Sequence, residues 1–484
     1  MTITWTDWQA ATVPLVLVLA AIAVLLVDAF WTTRDKQLKH AVISLMGVGA
    51  VFFGLAFTLV KRNDFLPAFC RVSVEGPAEC SLVVEPLTVG LWVVLLGGGL
   101  GVISLSAYAL LDSAIPVGEY HFLLLSALSG GIVLAGARDL ATLVIALEVV
   151  SLPSFALVAL RRDRRGSEAA MKAFLVSVLS TAVMLFGISY LYGVTGSLYL
   201  QTLSSRMLDL DPDLHRVALA AGLFVIVGFG FKIAAVPFHG WLPDTYVGAP
   251  IEVTAFLAVV SKSAGVAGLL VLVTGGVVPS GSSGLRTALA ILAAVTMTVG
   301  NVAALRQVEA VRLLAWSSIG QAGFVLAPLA IGDARTVVAY LAAYVIVTIG
   351  AFGIVAVVQR HRPAGLLTDY RGMVRTEPGL GASLILFLVV LAGLPPGLMG
   401  LFTKLAAFGS VIDANLIWLA IVMALNVMIG LAVYLRWVTE LFRLPVDDPF
   451  NVNIENPAVA VIGTCLGATV VLSLLPATLF TLAR

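Results

Sequence analysis

Four lysines lie within apolar stretches of this 484-residue chain, where an ionisable side chain is unexpected. A desolvated lysine can lose its proton, whereas an arginine is effectively always charged. The pattern therefore favours chemistry in which protons are gained and released in apolar surroundings. The chain has only seven lysines, and these four are Lys172, Lys232, Lys262 and Lys404.

Glu148 is the only carboxylate that we predict near the middle of an apolar stretch. Ionisable groups inside a membrane are costly and usually mark an ion or proton path. Lys172 lies nearer the start of its stretch, so reaching out to the interface is an equally good interpretation. Glu168 precedes Lys172 by four residues, a spacing that predicts a helical ion pair.

Two apolar stretches contain proline breaks, at Pro237 and Pro243 in one and at Pro395-Pro396-Gly397 in the other. Proline interrupts a helix, and interrupted membrane helices are tolerated where they line a cavity. His239 follows Pro237 by two residues and is expected to face the interrupted segment, with a buried structural hydrogen bond as the alternative. A break with a nearby lysine in each half of the chain indicates a transporter built from inverted repeats. Packing kinks alone are the alternative for the prolines.

The composition sets the class of protein. The chain is 60% hydrophobic and 11% charged, with a mean hydropathy of +1.06. These values exclude a soluble globular domain and predict an all-α, polytopic membrane protein. The net charge of +1, without a basic run interleaved with aromatics, gives no indication of nucleic-acid binding. Fourteen spans are predicted, at about 11–30, 40–60, 86–111, 120–137, 139–160, 168–195, 216–236, 250–274, 284–305, 309–331, 334–358, 376–410, 413–435 and 457–480.

We divide residues 1–484, one integral membrane domain, into four parts. These are three N-terminal helices (1–115), a first five-helix repeat (116–275), a second five-helix repeat (276–445) and a C-terminal helix (446–484). The first span lacks a basic leader and a small-residue cleavage site, so we interpret it as a retained helix. If the N-terminus is outside, the inner loops carry 15 basic residues and the outer side 9. This bias predicts that both termini lie outside.

Other motifs indicate structure more than chemistry. Cys70, Cys80 and Cys465 lack metal-ligand spacing, so zinc and iron–sulfur sites are not expected. Cys70 and Cys80 lie in an outer loop, where either a disulfide or two thiols is possible. The GGGLG run at 97–101 lacks the Lys-Ser/Thr of a phosphate loop and favours close helix packing. With no nucleotide or haem motif, this chain alone is not expected to perform redox chemistry.

The stretch GFGFKIAAVPFHGWLPDTYVGAPIEVTAFLAVVSKSAG resembles the signature of the antiporter-like proton-pumping subunits of respiratory complex I, which are related to the Mrp cation/proton antiporters. Within that family, GAPIEVTAFLAVVSK is similar to the subunit N branch, the counterpart of mitochondrial subunit 2. Other similar stretches are LEVVSLPSFALVALRR, SEAAMKAFLVSVLSTAVMLFG, RLLAWSSIGQAGFVLAPLA and LAGLPPGLMGLFTKLAAF.

The resemblance implies inverted five-helix repeats with discontinuous helices 7 and 12. It also implies a mid-membrane relay of Glu148, Lys232, Lys262 and Lys404 linked by water, with Lys172 in a supporting role. We add His239 as a second supporting residue. Relatives often carry histidine where this chain has Gln321, whose amide cannot titrate.

The relay is expected to begin with a switchable ion pair between Glu148 and Lys232. When Glu148 moves away, the isolated ammonium of Lys232 can pass its proton toward Lys262 and then Lys404. The driving change must come from neighbours, for which the subunit M and subunit K types are expected. NADH, FMN, iron–sulfur clusters and quinone are implied in the rest of the complex, and no cofactor in this chain.

Two other functions stay open from the sequence. A Mrp-type multisubunit cation/proton antiporter could use the same lysine chain, although GAPIEVTAF argues against it. A passive scaffold would leave the buried charges unexplained, since a central lysine costs roughly 2.5–3.5 kcal/mol on insertion scales. The expected location is a bacterial-type cytoplasmic membrane.

Overall fold

A computed structural model of the chain describes residues 4–30, 36–61, 65–71, 78–110, 114–277, 283–444 and 456–482. Most of these residues are helical, because a spanning segment must satisfy its backbone hydrogen bonds internally. In this described part, twelve helices are long and apolar enough to cross a membrane. Two further apolar helical segments, Lys39–Phe52 and Pro378–Ala392, are shorter. The predicted all-α membrane fold is confirmed.

The α-helices, numbered in chain order, are α1 (Trp5–Phe30), α2 (Lys36–Lys61), α3 (Pro86–Ala109), α4 (Val117–Gly136), α5 (Leu140–Ala159), α6 (Arg164–Thr195), α7 (Leu200–Leu208), α8 (Pro212–Lys232), α9 (Trp241–Gly248), α10 (Ile251–Phe256), α11 (Lys262–Leu272), α12 (Ser283–Ala304), α13 (Ala310–Leu329), α14 (Ala334–His361), α15 (Met373–Thr376), α16 (Pro378–Ala392), α17 (Leu398–Asp413), α18 (Ile417–Phe442) and α19 (Asn456–Leu474). π-Helical turns occupy Leu257–Ser261 and Val273–Val277, and 3-10 turns occupy Leu367–Tyr370 and Pro476–Thr481.

Each predicted span has a helical counterpart, and three of them are composite. The seventh consists of α8 and α9, and the twelfth consists of α16 and α17. The intervening breaks contain Pro237 and Pro395–Pro396, so the predicted discontinuities are confirmed. The eighth span joins α10 to α11 through the π-helical turn at Leu257–Ser261, which no pattern in the sequence predicts. The short helix α7 between spans six and seven was also not predicted.

A strand pair between α2 and α3 is a second unpredicted feature. Strands β1 (Leu66–Arg71) and β2 (Glu79–Val84) are antiparallel, with Cys70 opposite Cys80. Their sulfurs form a disulfide, which decides between the two alternatives that the sequence left open. The hairpin also anchors α1, because the Phe69 amide donates to the carboxylate of Asp7.

The core of the bundle lies along α10, α11, α13 and α14, whose residues are almost all buried. Helix α3 packs closely against this core at the GGGLG run. A Cβ on Gly98 would lie 2.9 Å from a methyl of Val259, and one on Gly101 would lie 2.5 Å from Ile349. The run therefore serves close helix packing, as predicted.

Candidate functional site

Lys232 is the last residue of α8, directly before the first helix break. Ala234 then takes a left-handed conformation with φ of 56°, and the Val236–Pro237 peptide is cis. The end of a helix leaves carbonyl groups without intrahelical donors. The Trp241 indole, from the following half-helix, donates to one of them, the Phe231 carbonyl, at 3.2 Å. The break thus places a lysine deep in the protein beside an open helix end.

The Lys232 side chain is 4% exposed and is directed toward α5. Its Nζ donates to Ser151 Oγ at 3.0 Å. Glu148, one turn earlier on α5, accepts instead from the Thr181 hydroxyl at 2.7 Å. The expected Glu148–Lys232 ion pair is therefore not formed in this arrangement. A rotation of the Glu148 side chain along its helix would be needed to close it.

Lys262 begins α11, directly after the π-helical turn, and is 3% exposed. Its Nζ donates to both the carbonyl oxygen (2.8 Å) and the hydroxyl oxygen of Ser318 on α13. The same hydroxyl shares a hydrogen bond of 2.7 Å with Tyr344 on α14. Gly265, one turn along α11, packs against the stem of Lys232. Both lysines thus lie at α11: Lys262 belongs to this helix, and the stem of Lys232 packs against it one turn further along.

Lys404, on α17, lies at the second break and is 5% exposed. Helix α16 ends at Ala392, and Gly393 follows with φ of 81°, which a side chain would resist. The Lys404 ammonium donates to the Leu391 and Ala392 carbonyls at 2.8 and 2.9 Å. It replaces the amide donors that the ending helix lacks, and it also lies over the Phe324 ring at 4.7 Å.

Gln321, on α13, lies between the sites of Lys262 and Lys404. Its amide nitrogen donates to the Leu391 carbonyl at 3.0 Å and to the Tyr434 hydroxyl at 2.9 Å. Its amide oxygen accepts from Tyr340 at 2.6 Å. Since Gln321 is one turn after Ser318 on α13, buried polar groups line a path from Lys262 to Lys404, which we call the buried polar axis.

The three buried lysines share one property. Within the described residues, each donates to hydroxyl or carbonyl oxygens, and none forms an ion pair with a carboxylate. A carboxylate at contact distance would hold an ammonium in its charged form. Neutral oxygens can accept from either an ammonium or an amine. The sites can therefore hold a lysine in both protonation states.

Lys172 occupies a different environment from the other three lysines. Its side chain is 47% exposed and pairs with Glu168 at 2.8 Å, which confirms the predicted helical ion pair. It also contacts Asp244 on α9 at 3.1 Å, and Asp244 contacts Arg312 at 3.3 Å. The structure thus places Lys172 outside the buried axis, in a surface network that fastens the α9 half-helix. Helical spacing could not predict the contact with Asp244, because Asp244 is 72 positions away in the chain.

His239 lies within the first break, as expected from its distance to Pro237. Its ring contacts the Trp316 indole edge-to-face, with centroids 5.5 Å apart. Its Nδ1 is buried and finds no hydrogen-bond partner among the described residues. Among all the residues that the structure describes, no group of three or more His, Cys, Asp or Glu side chains could hold a metal ion.

The structure buries another carboxylate, at the start of a span, that the sequence pattern did not single out. Glu252, in the first turn of α10, is 3% exposed. In the sequence it follows Pro250 at the edge of a predicted span, where acidic residues commonly favour a helix N-terminus. Tertiary packing of α3 and α14 around α10 buries it. A carboxylate two residues inside an otherwise apolar span was the available signal.

The chain is similar to known membrane proteins in sequence and in fold. Residues 137–430 match the family described as "NADH:quinone oxidoreductase/Mrp antiporter, TM". The chain is 46% identical over 457 residues to NADH-quinone oxidoreductase subunit N 2 of Streptomyces griseus, covering 92% of this chain and 84% of the relative. It is similar to a chain of respiratory complex I from Thermus thermophilus, with 30% identity, a TM-score of 0.80 and coverage of 97% and 98%. A Mrp complex chain from Dietzia sp. shares the fold, with 20% identity, a TM-score of 0.85 and coverage of 98% and 96%.

Proposed function

Because this chain belongs to the NADH:quinone oxidoreductase/Mrp antiporter family of membrane subunits, and within it to the subunit N group, we propose that it translocates protons through the buried lysine axis. The chain holds no redox motif, so quinone reduction elsewhere in the complex drives the transfer. The relatives with high identity and coverage are complex I subunits N, whereas the Mrp complex shares the fold alone. These observations favour the complex I function over the antiporter.

The observation that carries the proposal is the set of neutral partners around Lys232, Lys262 and Lys404. A fixed structural charge in such a site would be costly unless it were paired. A group that alternates between ammonium and amine spends part of its cycle uncharged and needs partners that suit both forms. Ser151, Ser318 and the carbonyls at the α16 end fit that requirement.

Transfer begins at Glu148 and Lys232. When the carboxylate turns from Thr181 toward Lys232, it stabilises the ammonium, and when it turns back, the proton is released toward Lys262. Ser318, Gln321 and the tyrosines of α14 then lead toward Lys404. Ser263 Oγ, next to Lys262, is buried without a partner among the described residues, and such groups usually bind water. Water bound to Ser263 would offer the proton a partner beside Lys262 in the proposed relay.

The two ends of the axis lie near exposed apolar surfaces. Helices α5 and α6 expose large apolar side chains beside Glu148, and α17 and α18 do so beside Lys404. In a membrane these surfaces face either lipid or other subunits. We propose that subunit M and K types are the neighbours. NADH, FMN, iron–sulfur clusters and quinone belong to other chains of the complex.

The proposal is tested by proton uptake into vesicles that contain the whole purified complex, during NADH oxidation. Lys232→Ala and Glu148→Ala should each lower uptake at least about tenfold, since required proton carriers contribute roughly 10²–10⁴-fold. Quinone reduction should also fall if the two processes are tightly coupled. Arg216→Ala, at an exposed residue far from the axis, serves as the control. Normal pumping by an assembled Lys232→Ala complex would indicate a scaffold.

A further inference from the structure

Glu252 is a buried carboxyl that the lysine axis does not use. Its Oε1 is buried and has no hydrogen-bond partner among the described residues. Leaving such an acceptor without a partner is unfavourable, and more so if the group is charged. No described residue supplies the donor that a purely structural carboxylate would need at Oε1. Binding and release of a proton would be a functional reason for the buried position of the Glu252 carboxyl.

A line of titratable side chains leads away from Glu252. The carboxylate charge of Glu252 acts on the buried hydroxyl of Tyr120 on α4 through space, since no hydrogen bond joins the two among the described residues. That hydroxyl is 2.5 Å from Ser106 Oγ on α3. The His121 ring contacts Tyr120 edge-to-face, with centroids 5.1 Å apart. His121 also stacks with His40 on α2 at 6.4 Å. Three helices, α2, α4 and α10, thus contribute imidazole, phenol and carboxyl groups to this buried line, and α3 adds the Ser106 hydroxyl.

The far end of this line reaches the surface. His40 Nε2 is 3.4 Å from a carboxylate oxygen of Asp28, whose side chain is 31% exposed at the end of α1. Between Asp28 and Glu252, the side chains of His40, His121 and Tyr120 are at most 1% exposed. Each of these groups can bind or pass a proton. Arg360, a charged residue on α14, stacks its guanidinium over the Tyr108 ring, with Cζ 5.0 Å from the ring centroid.

Glu252 directly follows Pro250 and Ile251 in the chain, and these two residues line a surface pocket of about 470 Å³. Ile115 and exposed arginines where α5 leads into α6 also line this pocket. Asp28 packs against Gly118, three residues after Ile115. The pocket and Asp28 therefore open on the same side of the membrane, which we call the arginine-rich face (Arg161, Arg162 and Arg165).

We propose that Glu252 is a proton-loading residue, supplied from the arginine-rich face by the Asp28–His40–His121–Tyr120 line and by the pocket. This inference rests on the proposed proton-translocating function. A proton taken from water binds the Glu252 carboxylate, and the carboxyl later releases it toward the amine of Lys262. The two residues are ten positions apart on one span, or about 15 Å. Tyr246 lines the same pocket, and its hydroxyl is buried without a hydrogen-bond partner among the described residues.

The test is Glu252→Gln in the whole complex, which keeps the size of the side chain and removes its proton chemistry. Proton uptake should fall at least about threefold when the arginine-rich face is alkaline, and less when it is acidic. The expected loss is smaller than the roughly 10²–10⁴-fold of an indispensable carrier, because the variant retains Glu148 and all three buried lysines of the proposed relay. Infrared difference spectra during turnover should also lose a protonated-carboxyl band. Glu119→Gln changes an exposed carboxylate beside Tyr120 and should leave both measurements unchanged.

Tyr120→Phe and His121→Gln test the line itself and should produce a smaller loss with the same pH trend. They also replace Glu252→Gln if that variant does not assemble on a native gel. Unchanged pumping at every pH together with an unchanged carboxyl band would overturn the inference. Lys262→Met in parallel separates the two ideas. If Lys262→Met stops pumping while the Glu252 line has no effect, only the loading role is lost, whereas normal pumping by Lys262→Met contradicts the proposed function.

Discussion

Gln321 and Lys404 donate to the same acceptor, the carbonyl oxygen of Leu391, at 3.0 and 2.8 Å. That carbonyl is free because α16 ends one residue later, before the Pro395–Pro396 break. The break in the twelfth span thus has a direct chemical use. It supplies an oxygen that joins an amide of α13 to a lysine of α17.

Gln321 should tolerate a side chain that both donates and accepts, and should not tolerate an apolar one. Gln321→Met leaves the Tyr340 hydroxyl without its acceptor, at about 1–3 kcal/mol for an unsatisfied buried group. The Tyr434 hydroxyl and the Leu391 carbonyl each lose one of their partners. We expect a lower melting temperature of the complex and loss of pumping. Gln321→His keeps ring nitrogens that can hydrogen-bond and should retain most of the pumping. Equal pumping by the Met variant and the parent would show that the axis does not pass through residue 321.

Ser151→Ala should weaken the relay at its first lysine. The substitution removes the only hydroxyl that accepts from Lys232 Nζ among the described residues. A hydrogen bond to a charged group contributes about 1.5–3 kcal/mol, so the proton affinity of Lys232 should shift by the order of tenfold or more. The rate of proton uptake in vesicles should fall accordingly. Ser154→Ala is the matched control. Ser154 lies one turn after Ser151 on α5, and its hydroxyl donates only to the Val150 carbonyl among the described residues.

Lys232→Arg keeps the charge at the first break and removes its ability to release a proton. Arginine is effectively always protonated, so pairing with Glu148 could survive while transfer stops. We expect an assembled complex that does not pump. Lys172→Arg provides the comparison, since that exposed lysine acts in ion pairs that arginine can also form. If Lys232→Arg pumps at the parent rate, the lysine is a fixed charge and does not titrate.

The proposed orientation, with both termini outside, is tested by thiol labelling. Arg164→Cys, at the exposed first residue of α6, should react with an impermeant reagent only from the cytoplasmic side. Arg216→Cys, beyond α6 and likewise exposed, should react only from outside. The background is low, because Cys70 and Cys80 are joined and Cys465 is buried. Labelling of the Arg164→Cys variant from outside would reverse the topology.

The sequence by itself determined the fold class, the number of spans and the two interrupted helices. Long apolar runs must become helices in a membrane, and proline near a buried lysine interrupts them in a predictable place. It also singled out Lys232, Lys262 and Lys404, because a lysine in an apolar run is conspicuous without any knowledge of its neighbours. The ion pair of Glu168 with Lys172 followed from helical spacing alone.

Only the tertiary structure decided the partners of these residues, because partners come from spans that are distant in the sequence. The hydrogen bond from Lys232 to Ser151, 81 positions away, and the separation of Glu148 from Lys232 depend on how α5 and α8 pack. The same packing left Lys172 at the surface and buried Glu252, although both lie near the start of an apolar run. Distance from the end of a span does not measure burial where other helices cover that end.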